Sequence, residues 1–350
     1  MAKKEMLEGN VAMAEAAIRG GCRFFAGYPI TPQTPFMEYL SWRMQEVGGE
    51  FIQAESELGS MNMVMGASGA GARACTATAG MAFSLMMESA SWATAGELPA
   101  VIVHLQRSGA GAGGLAPSQT DYNYVTKTIG HGGLHAYVLA PSSVQEAADM
   151  VYNAFDFADQ NRCLVLIVTD AQVGQVMEPV EFGPFKTEFP EKPWAVGPHK
   201  ERKPNTINPI TDMEQFGAPS FRRFEAKYKR WEEEEVQYEE YCMEDAETVL
   251  IAWGTAARIG RGAIDNLREQ GVKAGMLRPI TLYPFPTKKI RSFDPEKVKN
   301  VLVAEVSVPA QMHHDVEFAL QGRIPLHLLD RSWSEIFSTE DIEEALRKLI

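Results

Sequence analysis

The hydrophobic pattern of this chain switches period repeatedly, from short strand-like runs to helical segments and back, and that alternation limits the folds open to it. Glu8 to Arg19 is Ala-rich and helical. A strand near Arg23 to Ala26 leads into Tyr28-Pro29-Ile30-Thr31-Pro32. Apolar positions at Phe36, Tyr39, Leu40, Met44 and Val47 fit a 3.6-residue period, with Thr34 as cap and Pro35 as first helical residue. The same alternation gives a strand at Phe51 to Ala54, a helix from Glu57 to Gly69, and a strand at Arg73 to Ala77. It continues with a helix at Ala82 to Ala93 and strands at Ala100 to Leu105, Ala136 to Leu139 and Leu164 to Thr169. Ser143 and Glu146 stand in capping-box spacing before the helix between the last two strands. Strands alternating with helices imply a parallel sheet covered on both faces, a doubly wound α/β unit.

A second unit starts at Thr248. Val249 to Trp253, Val272 to Leu277, Val301 to Glu305 and Leu326 to Leu329 read as strands, Ala256 to Gln270 as a helix, and Ser338 with Asp341 caps the last helix. Between the units, eight of the 20 prolines fall in residues 178–247, together with two charged runs. The organisation expected is therefore a larger unit over 1–180, a linker over 181–247 and a smaller unit over 248–350. Phe221, Phe224, Tyr228 and Trp231 form one aromatic stripe that would pack a helix of the linker onto its neighbour. The acidic run Glu232 to Glu235 is explained by a solvated helix face.

Composition narrows the function. Hydrophobic residues at 45% and charged residues at 23% supply a core that a disordered chain lacks. A net charge of −13 gives no positive field to neutralise phosphates, so nucleic acid is not an expected partner. No apolar run reaches the roughly 18 residues that cross a bilayer, and the start of the chain has no apolar signal core. Cys22, Cys75, Cys163 and Cys242 are far apart, which suggests neither a disulfide framework nor a metal cluster. A cytoplasmic protein is expected.

Several motifs have plain explanations. Gly109, Gly111 and Gly114 follow a strand, but Leu115-Ala116-Pro117-Ser118-Gln119-Thr120 opens no helix that could face a pyrophosphate, so a flexible loop is the better reading. His131 and His135 have zinc spacing but enclose Gly132 and Gly133, poor helix formers. His313-His314 has no third ligand in view, and no metal site is expected in this chain. Thr31-Pro32 is a good helix entry, and Glu55 and Glu57 suit the N-terminal turn of a helix.

Taken together, the motifs resemble those of one family. Tyr28-Pro29-Ile30-Thr31-Pro32, Ser56-Glu57-Leu58-Gly59, Gly96-Glu97-Leu98-Pro99, Arg107 after its strand, and Ala140-Pro141-Ser142-Ser143-Val144-Gln145-Glu146 occur in family order. They resemble the pyrimidine-binding domain of the α subunit of thiamine-diphosphate-dependent 2-oxoacid:ferredoxin oxidoreductases. Ile251-Ala252-Trp253-Gly254 and Leu277-Arg278-Pro279-Ile280 look like that family's transketolase C-terminal-like domain. Chain length and Gln53-Ala54-Glu55-Ser56-Glu57 are most like the branched-chain, 2-oxoisovalerate type.

The resemblance implies oxidative decarboxylation of a 2-oxoacid to its acyl-CoA, with CoA as co-substrate and electrons passed to ferredoxin. It implies Glu57 as the catalytic carboxylate at pyrimidine N1′, with Glu55 as fallback and with Tyr28 and Pro29 also against the cofactor. Thr31 would lie near the substrate, and Arg107 would pair with its carboxylate through a guanidinium fork. No Gly-Asp-Gly followed by Asn, the usual magnesium–diphosphate motif, occurs in the sequence. The resemblance therefore places magnesium on a β subunit that completes the active site, and iron–sulfur clusters on partner subunits within a complex that includes γ and δ chains. A 2-oxoglutarate or pyruvate oxidoreductase subunit, or a non-catalytic scaffold of the same fold, are the alternatives.

Overall fold

The computed structural model describes residues 4–197, 202–208, 218–332 and 335–350; the parts of the expected linker at 198–201 and 209–217 lie outside them. The strands are β1 (Glu5–Glu8), β2 (Phe24–Gly27), β3 (Glu50–Gln53), β4 (Ala74–Ala79), β5 (Ala100–Gln106), β6 (Tyr137–Leu139) and β7 (Leu164–Asp170). They continue as β8 (Met177–Val180), β9 (Tyr238–Tyr241), β10 (Thr248–Ile251), β11 (Ala274–Pro279), β12 (Thr281–Tyr283), β13 (Asn300–Glu305) and β14 (Leu326–Asp330). The first sheet has the order β12-β6-β7-β5-β4-β2-β3 and the second β14-β13-β10-β11-β9. Every pair within both sheets is parallel except at one edge of each, where β12 on β6 and β9 on β11 run antiparallel.

Two doubly wound α/β units result, as the alternation implies. The first sheet buries one face under helices Gly9–Arg19, Thr34–Glu46 and Val144–Asn161 through residues such as Ile18, Phe36, Leu40 and Phe155. Its other face shares one continuous core with the second sheet: Ile102, Leu166 and Val168 belong to the same cluster as Val249, Ile251 and Val303. The outer face of the second sheet is closed by helices Gly254–Glu269 and Thr339–Arg347, which carry Ala257, Ile264, Ile342 and Leu346. Helix Thr339–Arg347 begins with the complete capping box read from Ser338 and Asp341.

Four short strands escape the sequence pattern. β1 pairs with β8 as a separate antiparallel ribbon, β9 adds an edge to the second sheet from within the linker, and β12 crosses from the second unit to pair with β6 of the first. Two local starts also differ. Thr34 is the first helical residue and Gln33 the cap, with the Gln33 side chain donating to the Tyr28 carbonyl at 2.8 Å and not capping the helix end. The Ser143 hydroxyl accepts from Glu146 N at 3.2 Å, but the Glu146 carboxylate turns to Ser142 and Arg278 instead of closing the box. The aromatic stripe behaves as read: helix Ala218–Glu234 buries Phe224 and Trp231, with the Trp231 indole N–H on Asn161 at 3.1 Å, while Phe221 stays half exposed.

Candidate functional site

Because β5, β4, β2 and β3 are adjacent and parallel, the segments that follow them emerge at one edge of the sheet. β2 delivers the turn Tyr28–Gln33, β3 delivers Glu57, β4 delivers Gly80 and β5 delivers Arg107. The helix after β2 packs on one face of the sheet and the helix after β3 belongs to the other. In this architecture the carboxyl ends of the strands at such a reversal are the usual place for a ligand.

Helix Glu57–Gly69 starts where the sequence places it. Ser56 is extended and its hydroxyl accepts from Gly59 N at 3.1 Å. Glu57, the first helical residue, is 6% exposed and has no hydrogen-bond or ion-pair partner among the described residues. With most of the side chain covered and no donor from its own chain, the carboxylate is left open to a partner at this edge. Glu55 differs on both points: it is exposed, and it accepts from the Ser56 hydroxyl at 3.2 Å.

Arg107 is half-buried and held by two main-chain carbonyls. Nη1 donates to Thr31 O at 2.7 Å and Nη2 to Ala112 O at 3.0 Å. The guanidinium has five N–H groups, so donors remain for a ligand. Gly80 makes room for this arginine: with φ +51°, an added Cβ would stand 3.1 Å from Arg107 Cγ. Thr31 therefore meets Arg107 through its carbonyl, and its side chain is exposed, as are Tyr28 and Pro29.

The Gly-rich loop after Arg107 folds on itself. Gly114 N donates to Ser108 O at 2.7 Å and Ser108 N to Ala116 O at 2.9 Å, while Gly109, Gly111 and Gly113 have positive φ. A Cβ at Gly113 would lie 2.2 Å from Ser108 O. The glycines serve this turn, which carries the Ala112 carbonyl to Arg107. Behind it, His104 Nε2 stands 2.9 Å from Asp121 Oδ2, and Asp121 N donates to Gln106 Oε1 at 2.9 Å.

The second unit braces the same edge. Gln119 donates through Nε2 to Trp253 O at 2.8 Å and accepts through Oε1 from Val306 N at 2.9 Å. Asp170, at the end of β7, accepts from the Thr255 hydroxyl at 2.9 Å and from Gln172 N and Val173 N. Burial pushes the Asp170 carboxyl above its ordinary value. Sequence reasoning singled out none of Gly80, Gln119 and Asp170; the positions of Gly80 and Asp170 at strand ends are the only local signal they carry.

Parallel strands that bring a mostly covered carboxylate and an arginine to one edge, beside a smaller α/β unit, are the ligand-binding arrangement of a doubly wound α/β protein. Residues 15–245 match the family described as pyruvate flavodoxin/ferredoxin oxidoreductase, thiamine diphosphate-binding, and residues 246–342 match pyruvate:ferredoxin oxidoreductase core domain II. The ketoisovalerate oxidoreductase subunit VorB of Methanothermobacter thermautotrophicus is 40% identical over 99% of this chain and 97% of its own. The 2-oxoglutarate synthase subunit KorA of Methanocaldococcus jannaschii is 34% identical over 98% and 99%. In fold, the chain is similar to a 2-oxoglutarate:ferredoxin oxidoreductase from Magnetococcus marinus solved with 2-oxoglutarate, coenzyme A and succinyl-CoA bound. That match has TM-score 0.88 at 22% identity and covers 99% of this chain and 65% of the other. The chain belongs to the 2-oxoacid:ferredoxin oxidoreductase family, as a subunit of a thiamine-diphosphate-dependent oxidoreductase.

Proposed function

We propose that this chain is the α subunit of a branched-chain 2-oxoacid:ferredoxin oxidoreductase, converting 2-oxoisovalerate or a close analogue to its acyl-CoA with electrons passed to ferredoxin. The observation that carries the reading is Glu57, a mostly covered carboxylate at the strand-end edge with no donor of its own chain. The branched-chain substrate is supported by the higher identity to relatives named for ketoisovalerate than to those named for 2-oxoglutarate.

The residues present suit thiamine diphosphate. When bound, that cofactor supplies a carbon nucleophile for the keto carbon of the 2-oxoacid. Glu57 holds a proton at pyrimidine N1′, the donor its carboxylate lacks within the chain, with Tyr28 and Pro29 lining the same entrance. Arg107 presents its remaining N–H groups to the substrate carboxylate beside Thr31.

A β subunit carrying magnesium and the diphosphate would complete the site, with γ and iron–sulfur δ chains leading electrons to ferredoxin. The entrance is rimmed by side chains suited to cover by another protein: Tyr28, Leu58, Met81 and Leu115 are all more than a third exposed. Among the described residues no helix is long and apolar enough to cross a membrane, and the four thiols are free. Both fit a reducing, cytoplasmic setting.

The test is reconstitution. The purified chain with thiamine diphosphate and magnesium should not oxidise any 2-oxoacid, whereas co-expression with β, γ and δ chains should give CoA-dependent reduction of ferredoxin or a viologen dye. 2-Oxoisovalerate should have the highest kcat/KM in a panel with pyruvate and 2-oxoglutarate. Turnover by the isolated chain would refute the half-site, and preference for 2-oxoglutarate would move the substrate.

A further inference from the structure

His313 and His314, which lack a third ligand when read along the chain, acquire one in the folded protein. Helix Met312–Leu320 places Glu317 four residues after His313 and three after His314, the spacings that bring side chains together on a helix surface. One ligand atom from each of His313, His314 and Glu317 lies within 4.8 Å of the other two. The two rings stand nearly perpendicular, 84° between planes, with centroids 5.8 Å apart. His314 Nδ1 and Glu317 Oε2 are 3.7 Å apart, too far for a hydrogen bond that a metal would have to displace.

Two neighbouring features leave this trio available. Asp315, the other carboxylate on the helix beside the histidines, is turned away and engaged by Lys127 and by the Tyr122 hydroxyl at 2.6 Å. The N-terminal end of a helix ordinarily disfavours a cation. Here the buried Glu305 carboxylate accepts from Gln311 N, Met312 N and His313 N, each at 3.0 Å, and offsets that positive end.

We infer that His313, His314 and Glu317 form a surface site for one divalent transition-metal ion of the zinc type. Two imidazoles and a carboxylate are borderline donors that favour Zn²⁺ over Mg²⁺ and Ca²⁺, which take oxygen sets. Three protein ligands leave a tetrahedral ion one position for water. His314 and Glu317 are well exposed, so their rotamers are free to draw the donors to the roughly 3.3 Å separation that tetrahedral zinc geometry requires. The inference rests on this helix alone and does not depend on the substrate or the cofactor.

The test is a Zn²⁺ titration of the full-length chain, stripped with chelator and dialysed, followed by calorimetry. One saturable equivalent is expected, unaffected by millimolar Mg²⁺. His313→Asn, His314→Asn and Glu317→Gln should each weaken Zn²⁺ binding by about 10-fold or more, while His131→Asn at another exposed histidine leaves it unchanged. Far-UV circular dichroism establishes that each variant is folded, and Glu317→Gln alters only an exposed side chain. Absence of a saturable equivalent, or wild-type affinity in all three variants, would overturn the site.

Discussion

Two glutamates two residues apart have different surroundings, and that difference decides the chemistry assigned to them. Glu55 is solvated and hydrogen-bonded, whereas Glu57 is buried and lacks a donor. Glu57→Gln keeps size and shape but cannot carry the charge that, on the proposed reading, would hold a proton at N1′. The variant should assemble and bind cofactor, yet exchange of the cofactor C2 proton in deuterated water should slow by about 10²–10⁴-fold. Glu55→Gln should exchange at the wild-type rate. If Glu57 only served its helix end, the change would cost about 0.3–1 kcal/mol and leave exchange untouched. The Gly80–Arg107 contact gives a second prediction. Arg107→Ala should raise KM for the 2-oxoacid strongly with cofactor affinity near wild type, the loss being about 2–5 kcal/mol for a desolvated charge pair. Gly80→Ala should reproduce part of that KM effect by crowding the guanidinium, and cost about 1–2 kcal/mol of stability for a left-handed alanine. An unchanged KM in both assembled variants would leave Arg107 as a structural clasp between Thr31 and Ala112.

At the scale of elements, the central strands were legible as short apolar runs, buried on both faces, between helical segments, and helix Glu57–Gly69 begins where Ser56 and Glu57 mark it. β1, β8, β9 and β12 were not, since they lack a buried apolar run of their own and form only by pairing with a distant strand. Arg278 shows the same limit. On β11 it is nearly buried and donates to Glu146 Oε1 at 2.6 Å and Oε2 at 3.0 Å, and to Glu239 Oε2 at 2.8 Å. It joins the second unit to the helix after β6, a pairing across 132 residues that no local motif announces. Burial raises the Glu146 pKa, but hydrogen bonds from Arg278 and Ser142 outweigh it and hold the group below its ordinary 4.5. A depressed carboxyl contributes stability that is present above the unfolded value and lost as pH falls through the folded one. Glu146→Gln should therefore destabilise the chain by about 1–3 kcal/mol at pH 7, discounted because Glu146 is a third exposed. That difference from wild type should shrink below pH 4.5 in denaturant titrations; a pH-independent difference would mean packing, not charge, joins the units.

At the scale of the whole molecule, the motifs name Glu57 and Arg107 as site candidates, but the outer surface beside them is a property of the folded chain. Helices Glu57–Gly69 and Phe83–Ala95 leave Leu58, Leu85 and Trp92 exposed while their opposite faces bury Met61, Val64, Met86 and Ala90. A cavity of about 550 Å³ opens between these helices and the segment carrying Val196 and Ile207, lined by Met65, Gly66 and Trp92. Exposed apolar side chains beside such a cavity mark an interaction surface, and on the proposed half-site reading a β subunit would cover it. Leu58→Glu and Leu85→Glu place a charge where burial is expected on assembly only. Each isolated variant should melt within about 0.5 kcal/mol of wild type, since surface changes away from the core cost little. Each should nevertheless weaken association with the β chain by about 30-fold or more, the loss of a central contact worth about 2 kcal/mol. Size-exclusion chromatography of the co-expressed pair reads the association directly. Wild-type co-elution of both variants, with turnover retained, would place the β subunit on another face and detach the apolar rim from the active site.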